Sequence, residues 1–256
     1  MDLGLENRRA LVTGASRGLG RAIALGLAGE GAEVVAVARD PHRLSALAAD
    51  AAGRGKITAR ACDLADPSAI DGLRDVLQRA DVLVLNTGGP PPGAAAEVPD
   101  AIWIKQFEAM FLSVVRLTRL ALPGMRKRGF GRILAVVSSG VLQPIPNLAI
   151  SNALRMAVVG WAKTLAAEVA RDGVTVNCLA PGRIATDRVA ELDQGRAQRE
   201  GISVAEVEEQ SRSAIPAGRY GEAAEFAAIA TFLASARSSY MTGGIIRVDG
   251  GMIRSV

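Results

Sequence analysis

Thr13-Gly14-Ala15-Ser16-Arg17-Gly18-Leu19-Gly20 lies between the apolar run Ala10-Leu11-Val12 and a stretch of helical character, Arg21 to Glu30. A glycine-rich turn that closes a buried strand and opens a helix aims free backbone N–H groups and the positive helix end at a pyrophosphate. Gly14, Gly18 and Gly20 let the chain bend and the ligand approach. The triplet alone is weak evidence in a chain with 28 glycines, because three of them can also be plain turn chemistry.

Outward from that turn, strands and helices alternate. Strands are expected near Arg9 to Thr13, Glu33 to Ala38, Ile57 to Cys62, Asp81 to Asn86, Arg132 to Ser138, Val174 to Leu179 and Ile245 to Val248, each apolar enough for burial on both faces. Helices fill the gaps: Pro41 to Ala52 opens with proline in its first turn, and Pro67 to Arg79 follows Asp66. The alternation predicts a doubly wound α/β fold of Rossmann type. About seven parallel strands carry helices on both faces, with a ligand crevice at the strands' C-terminal ends.

The spacing T-G-x-x-x-G-x-G resembles that of the short-chain dehydrogenases/reductases, and further pieces of that pattern follow in order. Asn86-Thr87-Gly88 stands where the family has N-A-G, and Ser138-Ser139-Gly140 where it places its catalytic serine. Pro181-Gly182-Arg183-Ile184-Ala185-Thr186 resembles the segment that holds the nicotinamide side of the cofactor. Gly218 to Glu222, Tyr240 to Gly244 and Val248 to Gly251 match the closing segments. The resemblance covers the whole chain and is nearest to the 3-oxoacyl-acyl-carrier-protein reductase-like branch. It implies a single domain, 1–256, with a substrate lid at about 187–215.

The catalytic centre departs from the pattern. The family has a tyrosine thirteen residues after the serine and a lysine four beyond it; counting from Ser138 gives Ser151 and Arg155. The register holds, because Gly160 to Glu168 continues the helix in the family's manner, and the two tyrosines, Tyr220 and Tyr240, lie in closing segments. Met110 stands where the family's asparagine is expected in the long helix. The candidate catalytic residues are therefore Ser138, Ser151 and Arg155. A serine hydroxyl is a far weaker acid than a phenol of pKa about 10. Arg155 could hold ribose hydroxyls or stabilise an oxyanion or carboxylate, but its permanent charge unsuits it to proton relay. Ser138 could hydrogen-bond a substrate oxygen or, as a strand-end serine, satisfy local backbone groups.

The resemblance implies cofactor contacts at Gly14, Ser16, Arg17, Gly18, Leu19 and Gly20, at Arg39, Asp63, Leu64, Asn86, Gly88 and Arg155, and at Pro181, Gly182, Ile184 and Thr186. Ala38-Arg39-Asp40 after the second strand, with Arg17 as a second guanidinium nearby, suits the 2′-phosphate of NADP(H) over NAD. The alternative leaves Arg39 on the surface and gives the ribose to Asp40. Asp63 fits the family's contact to the adenine amino group, or serves the next helix.

Composition adds bounds. The 30 basic and 26 acidic residues, net charge +4, are scattered, which speaks against nucleic acid. The densest cluster, Arg126-Lys127-Arg128, reads as cations at a helix C-terminus closed by Gly129. Cys62 and Cys178 lie in apolar runs as buried thiols without a disulfide. No signal-peptide core and no bilayer-length apolar run occur, so a cytoplasmic protein off the membrane is expected. No metal site is expected, and His42, the single histidine, is read as structural. Phe107, Phe111, Val115 and Trp161 on the helices Ala101 to Arg128 and Asn152 to Arg171 offer apolar surface for a homotetramer, with a homodimer as its minimum unit, or else pack within one subunit.

Little speaks to the substrate beyond its being a small molecule. The charged helical stretch Asp187 to Ser213 begins beside Arg183 and Arg188, where an acidic substrate would fit; these arginines could equally pair with Asp187 or Glu191. Gly88 to Gly93, with three prolines, reads as a fixed crevice wall. Three function classes follow: an NADPH-dependent oxidoreductase of a carbonyl or hydroxyl substrate, a non-redox lyase or isomerase on the same scaffold, and a dinucleotide-binding protein without turnover.

Overall fold

The computed structural model describes residues 2–53 and 55–255. Seven parallel strands form one sheet in the order β3-β2-β1-β4-β5-β6-β7: β1 (Arg9–Thr13), β2 (Glu33–Ala38), β3 (Lys56–Ala61), β4 (Val82–Leu85), β5 (Gly131–Val136), β6 (Val174–Pro181) and β7 (Ile245–Val248). The order reverses between β1 and β4, which pair Ala10 with Val82 and Val12 with Val84. A crevice opens at such a reversal, outside the strands' C-terminal ends.

Side-chain alternation assigns the two cores. Ala10 and Val12, Val82 and Val84, and Leu134 and Val136 pack on one face with helices α1 (Gly18–Gly29) and α2 (Pro41–Asp50). Leu11, Leu83, Leu85, Ile133 and Ala135 point to the other face, toward α3 (Pro67–Asp71) and α4 (Arg74–Arg79). That second face is closed by a long helix that begins as α5 (Asp100–Phe107), passes through a π turn at Glu108–Leu112 and continues as α6 (Ser113–Arg128), and by α7 (Ala149–Val169). The remaining helices are α8 (Asp187–Glu200), α9 (Val204–Ser213) and α10 (Ala223–Ala234); α10 returns to the first face beside α1.

Several expectations need correction. Burial on both faces fails for β3 and β7, where Lys56, Thr58, Ile245 and Arg247 are exposed, because edge strands lack a neighbour and full helical cover. The helix expected from Pro67 to Arg79 is two short ones, broken at Gly72-Leu73, where Leu73 leaves the helical basin with ψ 4°. The stretch 187–213 is also two helices. Gly201, left-handed with φ +68°, ends the first, and Ser203 starts the second through a capping box, its hydroxyl accepting from Glu206 N while Glu206 accepts from Ser203 N. Phe111 and Trp161 lean on the second core, whereas Phe107, stacked on Phe111 with centroids 5.3 Å apart, stays exposed with Ile104 and Met156.

The thiols and the basic cluster fall as expected. Both cysteines are free and buried, and burial alone pushes the Cys178 thiol up to about 12. Arg126 and Arg128, in the last turn of α6, pair with Asp172 (2.7 Å) and Asp81 (2.9 Å). His42 is exposed in the first turn of α2. Among the described residues, no helix is long and apolar enough to cross a membrane.

Candidate cofactor and active site

The turn after β1 is built around two close approaches. Gly14 has φ +59°, and a Cβ there would lie 2.8 Å from Asn86 Nδ2; a Cβ on Gly20 would strike Gly14 O and stand 2.7 Å from the same Nδ2. Thr13 at the end of β1 locks the approach: its Oγ1 accepts from Asn86 N (2.8 Å) and donates to Asn86 O (3.1 Å). Asn86 Nδ2 in turn donates to Gly14 O at 3.3 Å. Helix α1 begins at Gly18 without a side-chain cap and without an acidic residue in its first turn. Its leading N–H groups are therefore unclaimed by side chains, and bare backbone at a positive helix end fits a pyrophosphate. Leu19 packs against the first core and holds the helix in place.

At the adenosine end, Arg39 is exposed just beyond β2. Asp40 is engaged as the cap of α2, accepting from His42 N (3.0 Å) and Arg43 N (3.1 Å). Asp63 is exposed and accepts from Ala65 N at 3.0 Å, while Asp66, not Asp63, caps α3. Arg17 does not converge on Arg39. It reaches the α8 carboxylates of Glu191 (3.0 Å) and Asp187 (3.5 Å), because those acids stand on the next segment over the glycine turn.

The first turns of α7 meet the end of β5. Ser138 Oγ accepts from Gly140 N at 3.0 Å, which leaves its own proton free to donate. A Cβ on Gly140 would meet Asn152 Oδ1 and lie 3.3 Å from Ser138 Oγ, so Ser138 and α7 close on one spot. Asn152 also clamps the intervening loop, donating to Ile145 O at 2.9 Å and accepting from Ile145 N at 3.3 Å. Ser151 is 8% exposed, and its hydroxyl has no partner among the described residues. Arg155, also 8% exposed, donates through Nη1 to Val136 O (2.6 Å) and through Nη2 to Gly88 O (2.5 Å). It thereby ties the ends of β5 and β4 together. Burial first, and then the charge of Arg188, pull the Arg155 guanidinium down to about 10, still protonated at neutral pH. Met110, 3% exposed in the π turn, packs with Ile150 and Leu154, the chain neighbours of Ser151 and Arg155.

The β6 exit and α8 flank the centre. Pro181 ends β6 and Gly182 N donates to Val248 O (2.9 Å). Ile184 is buried, bridged to Gly221, and Thr186 precedes α8 with its hydroxyl donating to Ile184 O at 3.2 Å. Arg183 pairs with Asp193, which is 1% exposed and also accepts from Tyr220 Oη at 2.8 Å. Burial raises the Tyr220 phenol. Arg188 donates to Pro90 O at 2.6 Å and lies 3.6 Å from Glu191. The Gly88 to Gly93 wall is pinned at its far end, where Gly93 N donates to Asn147 O at 2.8 Å.

Reading the sequence missed Asn152, Asp193, Tyr220 and the carbonyls of Gly88 and Pro90 as parts of this region. In the sequence Asp193 is one of several carboxylates in a charged helical stretch, with no local sign that singles it out from its neighbours.

The family described as enoyl-(acyl carrier protein) reductase matches residues 14–253. The 3-oxoacyl-[acyl-carrier-protein] reductase FabG of Escherichia coli is 35% identical over 98% of this chain and 99% of its own length. The NADPH-dependent reductase BacG of Bacillus subtilis is 32% identical over 98% and 100%. The L-sorbose reductase of Gluconobacter frateurii, solved with NADPH and L-sorbose, superposes with a TM-score of 0.93 at 33% identity and full coverage of both chains. With the glycine turn, the β1/β4 crevice and relatives matched from end to end, the chain belongs to the short-chain dehydrogenase/reductase family.

Proposed function

We propose that the chain is an NADP(H)-dependent oxidoreductase of a small carbonyl or hydroxyl substrate, working from an atypical centre of Ser138, Ser151 and Arg155. The observation that carries this reading is the cradle: the bare α1 N-terminus, the Gly14–Gly20 contact and the Thr13–Asn86 lock survive intact beside an altered centre. When bound, the reduced nicotinamide supplies hydride to the carbonyl carbon. Ser138 Oγ, already accepting from Gly140 N, donates its proton's hydrogen bond to the substrate oxygen. Arg155 contributes a fixed positive charge for the oxygen as it becomes negative, and ties the β4 and β5 ends that shape the crevice. It does not deliver a proton at neutral pH. Ser151, buried with an unclaimed hydroxyl, orients the water that does.

That water is a poor replacement for a tuned phenol, so ordinary ketones and 3-oxoacyl thioesters turn over slowly. Loss of a positioned general acid costs about 10² to 10⁴ in rate. Steady-state NADPH oxidation with an acetoacetyl thioester tests this; turnover of order 1 s⁻¹ or faster would show Ser151 and Arg155 to be a competent acid pair. Ser151→Tyr, Arg155→Lys and Met110→Asn together should raise the rate. Turnover of substrate without cofactor oxidation would move the assignment to lyase or isomerase chemistry.

The preference for NADP over NAD rests on Arg39, since Asp40 is engaged in capping α2. Segment 187–215 is assigned as the substrate lid, and the exposed Ile104, Phe107 and Met156 support assembly into a dimer or tetramer.

A further inference from the structure

Two guanidinium groups converge on the loop after β4. Arg155, from α7, donates to Gly88 O, and Arg188, from α8, donates to Pro90 O. The acceptors are two residues apart, with Gly89 between them. A Cβ on Gly89 would lie 2.6 Å from Arg188 Nε and 3.0 Å from its Cζ, so the guanidinium lies against bare backbone and would have to shift to make room for a side chain there. Each cation is near enough to the other for the charge of Arg188 to make Arg155 a weaker base.

Little negative charge answers them. Among the described residues, Arg155 has no carboxylate within ion-pair distance, although it is 8% exposed. Arg188 has Glu191 at 3.6 Å, and that carboxylate is half exposed and shared with Arg17 at 3.0 Å. An unpaired buried charge is costly, and a loop brace does not require one. Asn152, a neutral side chain, clamps Ile145 with two hydrogen bonds. Arg155 has three N–H donors left after its two carbonyls, and guanidinium forks match a carboxylate with paired, charge-assisted bonds.

We propose that Arg155 and Arg188 together hold a carboxylate of the substrate, which makes the substrate an oxo acid or the corresponding hydroxy acid. The inference rests on the oxidoreductase reading and narrows it to acids. The pyrophosphate is the other anion that could come to the crevice, but the α1 N-terminus already provides for it after β1, whereas Gly88 and Pro90 follow β4.

The test separates the two anions and separates this inference from the redox reading. The full chain saturated with NADP⁺, which cannot reduce a ketone, is titrated calorimetrically with pyruvate, acetoacetate and 2-oxoglutarate, and with the methyl ester of each. At least one acid should bind about 10- to 100-fold more tightly than its ester, the loss that follows removal of a charge-assisted bond. Arg188→Gln should erase that preference while NADP⁺ affinity stays within about twofold, and Arg188→Lys should retain part of it. Equal binding of every acid and its ester, or no binding by any of the three acids, overturns the proposal. So does an Arg188→Gln variant that loses NADP⁺ as much as it loses the acid, since the pair then serves the cofactor. NADPH oxidation with the same compounds reads the redox reading independently: acids that bind without oxidation sink that reading alone, and neutral ketones reduced without acid preference sink the carboxylate site alone.

Discussion

Replacing Arg155 by methionine should leave the fold almost as stable as before, although the residue is buried and hydrogen-bonded at both β4 and β5. The fall of the guanidinium below its ordinary range to about 10 corresponds to about 3 kcal/mol against the charged form at neutral pH. Methionine removes that penalty and fills similar space. Against it stand the two carbonyls left without donors, at about 1–3 kcal/mol each. Val136 O is buried and belongs at the upper end; Gly88 O is partly open to water and belongs at the lower. The two sides cancel to within about 1 kcal/mol, or a few degrees in Tm for a chain of this size. Had Arg155 been half of a buried ion pair, removing it would cost about 3–5 kcal/mol. Urea unfolding of both proteins at pH 7 measures the difference, and a loss of about 3 kcal/mol or more refutes the reasoning. The pH dependence gives a second reading. Burial makes the folded guanidinium a weaker base than the unfolded one, so the unfolded chain binds more protons in the alkaline window above about pH 10. The penalty is complete below the window and relieved as pH rises through it. The native protein should gain stability relative to the methionine variant only above about pH 9.5, with a flat difference below that.

Other consequences are simpler to read. NADPH should bind more tightly than NADH by fluorescence titration, and Arg39→Ala should weaken NADPH alone; equal affinities would remove the argument from Arg39. Asp193→Asn should cost about 2–4 kcal/mol, because Arg183 and Tyr220 lose a buried carboxylate partner, and hydrogen exchange should rise first within 187–213. Tyr220→Phe, which leaves the Arg183 pair in place, should cost about 1 kcal/mol. Light scattering at micromolar concentration should give a dimer or tetramer, and Phe107→Asp with Ile104→Asp should shift it toward monomer.

What the sequence made legible was what is local. The glycine turn, the continuous apolar runs of β1, β4 and β5, and the proline and aspartate starts of α2 and α3 all depend on residues a few positions apart. Ser151 and Arg155 were located differently, by counting the family's spacing from Ser138. The contacts that give those residues their character span far more chain: Arg155 reaches back 67 residues to Gly88, Arg188 back 98 to Pro90, and Arg17 forward 174 to Glu191. No short window carries a trace of them, and so Arg17 was expected beside Arg39 when tertiary proximity gave it to α8 instead. The π turn at Glu108–Leu112 was equally hidden, because it inserts a residue into a helix whose composition is ordinary. From spacing alone Arg155 reads as a charged substitute for a lysine. In the fold it is first a brace between two strand ends, through two of its five N–H groups. A lysine in the same brace would have one donor left for anything else, whereas arginine keeps three, so the substitution that removes a proton relay also leaves room for an anion.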